Sequence, residues 1–187
     1  MNLKNLNRQA RLDEEDEEDG AHVLKFEDLQ SCVAFSNLRH IFLSLFWDVD
    51  LTDSELVTLA SAWPHLEGLL INAQRGWNTP GGITPNRVVQ LLQTCSSLSC
   101  VALAIDTRGY IEFRESPVTL ALTLAPTFSI NVLDSTIEEE SVPAMAAFLA
   151  GIAPCPNFGF TVIDENDHAK RWYDVYGRAN GALRQRS

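Results

Sequence analysis

Leu38-Arg39-His40-Ile41-Phe42-Leu43, Leu66-Glu67-Gly68-Leu69-Leu70-Ile71 and Leu98-Ser99-Cys100-Val101-Ala102-Leu103 are three copies of one phrase, LxxLxL, and their reading decides the fold. Each copy opens from a short turn-like stretch: Phe35-Ser36-Asn37-Leu38, Trp63-Pro64-His65-Leu66 and Cys95-Ser96-Ser97-Leu98. Cys155-Pro156-Asn157-Phe158 is a further instance of that opening, and Ala125-Pro126-Thr127-Phe128 is a weaker copy. The anchors fall at 38, 66, 98, 128 and 158, with spacings of 28, 32, 30 and 30. After the last two anchors Asn131 and Thr161 take the second apolar slot. There the apolar residues alternate instead, as Phe128, Ile130, Val132 and Phe158, Phe160, Val162. A period of two reads as a strand.

Helix signals follow the strands. Thr52-Asp53-Ser54-Glu55 is a capping box, with Leu56, Leu59 and Ala60 at helical spacing behind it. Thr84-Pro85 reads as an N-cap with proline at the first helical position, followed by Val88, Leu91 and Leu92. Ser141-Val142-Pro143 opens a third helix through Met145, Phe148, Leu149 and Ile152. Asp167 is the expected cap of a last one bearing Trp172, Val175 and Tyr176. The stretch 106–126 carries turn signals instead and is expected to be irregular. Val23-Leu24-Lys25-Phe26 reads as a further strand, with Phe26-Glu27-Asp28-Leu29 a short turn of helix.

Strand then helix, repeated every thirty residues, gives parallel strands whose units bury their apolar sides only by stacking. The expected fold class is α/β. It is a leucine-rich-repeat-like solenoid with parallel strands on the concave face and helices on the convex face. Residues 22–183 form a single domain of about five irregular units. The residue between the last two apolar positions of each phrase points outward: Phe42, Leu70 and Ala102. A row of exposed apolar groups is unusual on a face meeting only water, and it is expected either to form part of a protein-binding groove or to be covered by a loop or by further N-terminal chain. Trp47 and Trp77 sit in loops after strands, where aromatic side chains either anchor a partner or cover the edge of the solenoid. These five are the candidate partner-binding residues. Trp63 and Trp172 read as core.

Composition bounds the alternatives. The chain has 187 residues, 45% hydrophobic and 21% charged, which suits a folded domain. Of its net charge of -11, seven charges form the uninterrupted run Asp13 to Asp19, and the remainder carries -4. Residues 1–21 therefore read as a disordered or loosely ordered acidic segment. The bland reading is a solvated tail, and the functional alternative is a docking segment for a basic partner. No basic face suits nucleic acid, and Arg178, Arg184 and Arg186 read as favourable charge near a helix C-terminus. No apolar run has the roughly 20 residues of a membrane span, and Met1-Asn2-Leu3-Lys4 opens no signal peptide. Cytosol or nucleus is expected.

No catalytic residue, cofactor or metal is expected. Cys32, Cys95, Cys100 and Cys155 form no CxxC pair and read as reduced, mostly buried thiols. No nucleophile elbow, P-loop or dinucleotide glycine pattern occurs. Asp164, Glu165, Asp167 and His168 are the densest ligand-like group. They read better as a polar loop before a helix than as a cation site.

Phe26-Glu27-Asp28-Leu29, Phe35-Ser36-Asn37-Leu38-Arg39-His40, Ala62-Trp63-Pro64-His65-Leu66-Glu67, Ile83-Thr84 and Cys95-Ser96-Ser97-Leu98 follow one another in an order that resembles a known family. So does His168-Ala169-Lys170-Arg171-Trp172-Tyr173-Asp174-Val175 near the end. The family is the leucine-rich repeat region of fungal F-box proteins, the mushroom-type set in particular. The resemblance implies a substrate-recruiting repeat domain. In that family an F-box of about 40 residues precedes the repeats and binds a Skp-type adaptor of a cullin ubiquitin ligase. This chain carries no F-box, so adaptor binding is expected only of a longer form, and an unidentified protein partner is expected of the repeats. A standalone repeat protein without a ligase link is the alternative. The Asn or Cys that many such repeats place three residues after the last strand leucine is also missing. Phe46, Gln74 and Asp106 stand there, so the turns are expected to be satisfied another way.

Overall fold

The computed structural model describes residues 22–78, 82–108, 127–153, 158–163 and 166–185. In chain order the elements are β1 (Val23–Lys25), α1 (Phe26–Leu29), β2 (His40–Leu43), β3 (Asp48–Asp50), α2 (Asp53–Ala62), β4 (Gly68–Ile71), α3 (Pro85–Thr94), β5 (Cys100–Ala102), β6 (Ser129–Asn131), α4 (Val142–Ile152), β7 (Gly159–Thr161) and α5 (Asp167–Arg184). A 3-10 turn, Gln30–Ala34, follows α1. The fold is mixed α/β with parallel strands in two sheets. One sheet has five strands in the order β2-β4-β5-β6-β7, and the other pairs β1 with β3. The expected acidic segment 1–21 and most of the expected irregular stretch, 109–126, lie outside the described residues.

The recurring four-residue phrase is a turn with one fixed hydrogen bond. The Leu38 amide donates to the Phe35 carbonyl (3.1 Å), Leu66 to Trp63 (3.0 Å) and Leu98 to Cys95 (3.0 Å). Phe35, Trp63 and Cys95 each end a helix, and the leucine two residues short of the next strand closes the turn. The repeat in sequence is thus a repeat in backbone geometry. Register follows from it: Ile41, Leu69, Val101, Ile130 and Phe160 stand side by side across the five strands.

The helices start where their caps place them. The Thr52 capping box is formed, with the Glu55 carboxylate accepting from the Thr52 amide at 2.7 Å. Pro85 opens α3 after Thr84, as expected. The Thr84 hydroxyl makes no cap bond and instead donates to Asp53 at 2.7 Å, joining α3 to the start of α2. For α5 the cap is Asn166, not Asp167: the Asn166 side chain accepts from the Ala169 amide (3.0 Å), and Asp167 is already helical. Asp167 instead pairs with Lys170, whose hydrogen bond lowers its carboxyl pKa.

One continuous core runs from Leu24 to Leu183. Alternate strand residues feed it: Ile41, Leu43, Leu69, Ile71, Val101, Leu103, Ile130 and Val132 are all buried. Trp63 and Trp172, expected in the core, are fully buried there and hydrogen-bond to the carbonyls of Cys32 (3.0 Å) and Ser135 (2.9 Å). The chain ends in an aromatic cluster, where Phe160 stacks on Tyr176 with centroids 5.0 Å apart and Phe158 meets Tyr176 edge-on at 5.2 Å.

Cys32 and Cys95 are buried free thiols, and Cys100 is partly exposed. Burial pushes the Cys95 thiol up from 9.0 to about 11. For an acid whose folded-state pKa is raised, the stabilising contribution is complete below the unfolded pKa. It is lost as pH rises through the folded one. A tenfold change in a proton-binding equilibrium is worth about 1.4 kcal/mol. Between pH 9 and pH 11 the wild type should therefore lose about 2 kcal/mol more stability than Cys95→Ala. Urea titrations of both proteins at the two pH values measure this, and parallel losses would refute it.

Of the residues at the expected slots Asp106 accepts from the Arg108 amide (2.9 Å), and the other turns are satisfied by residues elsewhere. Asn72, one residue past Ile71, is 2% exposed; its side-chain oxygen accepts from the Leu45 amide (2.8 Å) and its side-chain nitrogen donates to the Trp47 carbonyl (2.7 Å). In the next units Ser135 accepts from the Ile105 amide (2.6 Å) and Asn131 from the Leu133 amide (2.9 Å).

Candidate functional site

The face of the five-stranded sheet opposite the core carries two rows. The first, from the pairing register, is His40, Gly68, Cys100, Ser129 and Gly159. The second is Phe42, Leu70, Ala102, Asn131 and Thr161. Phe42 stands out from this face at 57% exposure, and Leu70 beside it is half-buried. The His40 and Phe42 rings lie 5.5 Å apart. Both lean over Gly68, where an added Cβ would sit 3.2 Å from the His40 ring, 3.3 Å from the Phe42 ring and 3.0 Å from the Cys100 sulfur. A side chain larger than hydrogen at 68 would push the two rings apart. Glu67 pairs with Arg39 and approaches His40 Nε2 at 3.6 Å, so the polar rim is charge-balanced.

Two of the five candidate residues are not at the surface. Ala102 belongs to the outward row but has no exposure. Its neighbour Asn131 reaches past β5 and donates to the Ala73 carbonyl (3.1 Å), a bond that spans the short Ala102 side chain. Trp77 is also fully buried. Its indole N–H donates to the Ile71 carbonyl (3.1 Å), its amide to the Asp134 carboxylate (2.9 Å), and its carbonyl accepts from the Val49 amide (2.9 Å). The Asn78 amide donates to the other Asp134 oxygen at 2.8 Å. Gly76 passes so close to Asp134 that a Cβ would lie 2.4 Å from its carboxyl carbon, and its φ of +83° is one that glycine adopts without strain. Trp77 is therefore a core residue that joins the small sheet to the large one, and neither it nor Ala102 can reach a partner.

Trp47 is half-buried and faces His22, with centroids 5.4 Å apart. Beside it lies Phe46, a residue that the repeat pattern assigns to a turn slot and not to the site. Phe46 is 59% exposed, and the Arg75 guanidinium sits 4.4 Å over its ring. Phe42 and Leu70 thus give the β2–β4 end of the face its apolar side chains, and Phe46 and Trp47 lie in the loop that follows β2.

His168 Nδ1 lies against the backbone of Ile137, 3.0 Å from its carbonyl oxygen and 3.2 Å from its amide nitrogen. Asp164 and Glu165 of the ligand-like group lie outside the described residues, as does Cys155. Among the described residues no group of three or more His, Cys, Asp or Glu is placed to hold a metal ion, and no helix is long and apolar enough to cross a membrane. Comparison of the chain with family models, with curated proteins and with solved structures finds no match in any of the three.

Proposed function

We propose that the chain is a non-catalytic protein-interaction domain, a leucine-rich-repeat-like solenoid whose strands line a concave face and whose helices form the convex side. Phe42 carries the reading. It is a large apolar side chain, 57% exposed, on the sheet face opposite the core. Leu70 stands next to it in register, and Phe46 and Trp47 lie in the loop that follows β2. Large apolar side chains held out toward water are costly there and favourable against a partner. Support for the solenoid comes from the large sheet, whose strands β2, β4, β5, β6 and β7 run parallel in chain order, with β3 paired separately to β1. On the resemblance to the repeat region of fungal F-box proteins, the partner is a substrate brought to a ubiquitin ligase. The alternative is a standalone repeat protein.

Phe42→Asp tests the surface. At 57% exposure the change should leave the melting temperature nearly unmoved, since surface substitutions usually stay within about 0.5 kcal/mol. Loss of an interface anchor costs about 2 kcal/mol or more, roughly thirtyfold in affinity. Quantitative affinity capture with the two proteins side by side should show a partner retained by the wild type and lost by the variant. Equal capture would refute the surface. Identifying the captured partner separates the two readings: a partner whose ubiquitination falls when the wild-type surface is replaced by Phe42→Asp supports the ligase link, and a partner whose ubiquitination is unchanged supports the standalone domain.

A further inference from the structure

A cavity of about 270 Å³ lies away from the sheet face, where the segments after β5 and β6 meet the start of α4. It is lined by Thr107, Arg108, Thr136, Ile137, Glu138, Glu140 and Ser141. That volume is just below the range of about 300–1,000 Å³ typical of small-molecule sites. At roughly 30 Å³ per water it has room for one side-chain-sized group and its solvent. Ser141 is the unusual member. It is 5% exposed and stands immediately before α4, yet its hydroxyl caps nothing and makes no hydrogen bond among the described residues. A buried hydroxyl without a partner is rare in a native structure, and one that lines a cavity is satisfied by what enters it.

The charges decide what enters. Arg108 is engaged by Asp106 through two contacts of 2.9 Å, so that pair is close to neutral. Glu138 is 3.9 Å from Arg171, which lies closer to Glu139 at 3.4 Å. Glu140 has no ionic partner among the described residues. The helix start contributes about half a positive charge, too little to offset a full carboxylate. Pro143 in the first turn of α4 also removes one amide donor that an anion would use. Among the described residues the lining is therefore net negative, with a free acceptor at the wall.

We propose that this cavity accepts a primary alkylammonium group, as carried by a lysine side chain, with Glu140 supplying the charge and the Ser141 hydroxyl one acceptor. The interaction-domain reading supplies only the origin of the amine, a partner's lysine. The site itself is tested without any partner, so failure of one does not carry over to the other.

The test is an amide-resolved NMR titration of the full chain with Nα-acetyl-lysine methylamide. Nα-acetyl-norleucine methylamide serves as the uncharged analogue and acetate as the anion. The expected result is saturable millimolar shifts centred on Thr107, Thr136 and Ser141 with the lysine compound alone. Glu140→Gln should weaken binding about tenfold and Ser141→Ala about fivefold, while Ser141→Ala melts no lower than the wild type because it removes a buried, unbonded hydroxyl. Shifts of equal size with the norleucine compound, tighter binding of acetate, or unchanged affinity in Glu140→Gln would each overturn the proposal. A spermidine arm distinguishes the source of the amine: tighter binding than the lysine compound points to a free polyamine, weaker binding to a protein side chain.

Discussion

Trp77→Ala should lower the stability of the protein by about 3–5 kcal/mol, the range for deletion of a fully buried aromatic side chain. For a domain of this size that is a fall of roughly 6–20 °C in melting temperature. The reasoning is more than lost volume. Trp77 holds the loop after β4 in place for two other segments: its carbonyl receives the Val49 amide of β3, and its amide and that of Asn78 both point at Asp134. Without the indole the loop has no anchor, and the bonds to β3 and to Asp134 loosen together. Trp77→Phe separates the contributions, because it keeps most of the apolar volume and loses the bond from the indole N–H to the Ile71 carbonyl. It should cost about 1–3 kcal/mol, the penalty for leaving a buried acceptor unpaired. Denaturant unfolding of the three proteins gives both numbers. A cost for Trp77→Ala below about 1 kcal/mol, as for a surface tryptophan, would mean that the loop does not join the sheets.

That residue also marks where the sequence stops being readable. The large sheet and its helices follow from local signals: the LxxLxL phrase, the Thr52 capping box, Pro85 and Pro143 at helix starts. Each depends on residues within one or two turns of chain. Trp77 lies between Gly76 and Asn78 in a polar loop, and its burial depends on Asp134, which is 57 residues away. Ala102 has the spacing of an outward residue but is buried between Leu70 and Asn131, and Asn131 bonds to Ala73, 58 residues earlier. Strand β3 escapes a sequence pattern for a related reason. Asp48-Val49-Asp50 offers a single apolar residue, and the strand exists because β1 pairs with it. Phe42, Leu70 and Trp47 need only the local pattern to be placed, and they reach the surface fully or in part. Phe46 is legible as an exposed loop aromatic, but its slot in the repeat suggests a structural role instead. The Ser141 cavity has no signal at all, since serine before a helix reads as a cap.

The repeat pattern seeks a turn-satisfying asparagine three residues past the strand, at Gln74, and Asn72 does that work two positions earlier. The residue has two separable jobs. Its φ is +52°, a left-handed conformation that costs most residues about 1–2 kcal/mol and costs asparagine and glycine less. Its buried side chain bonds the Leu45 amide and the Trp47 carbonyl, both in the turn of the preceding unit. Asn72→Gly keeps the backbone conformation at ease and deletes the side-chain bonds. With two backbone groups left unpaired at about 1–3 kcal/mol each, and water able to reach one of them, it should cost about 2–3 kcal/mol. Asn72→Ala deletes the same bonds and adds the left-handed penalty, so it should be worse than glycine by about 1 kcal/mol, reversing the usual order in which alanine is the safer replacement. Asn72→Asp keeps the acceptor for Leu45 but turns a carboxylate toward the Trp47 carbonyl, and it should recover stability as pH falls and the acid protonates to a donor. Chemical denaturation of the four proteins measures all of these costs. If glycine and alanine prove equally harmful, the backbone has relaxed out of the left-handed region. If both cost under about 1 kcal/mol, the turn has found other partners, and the repeat is held by its apolar spacing alone.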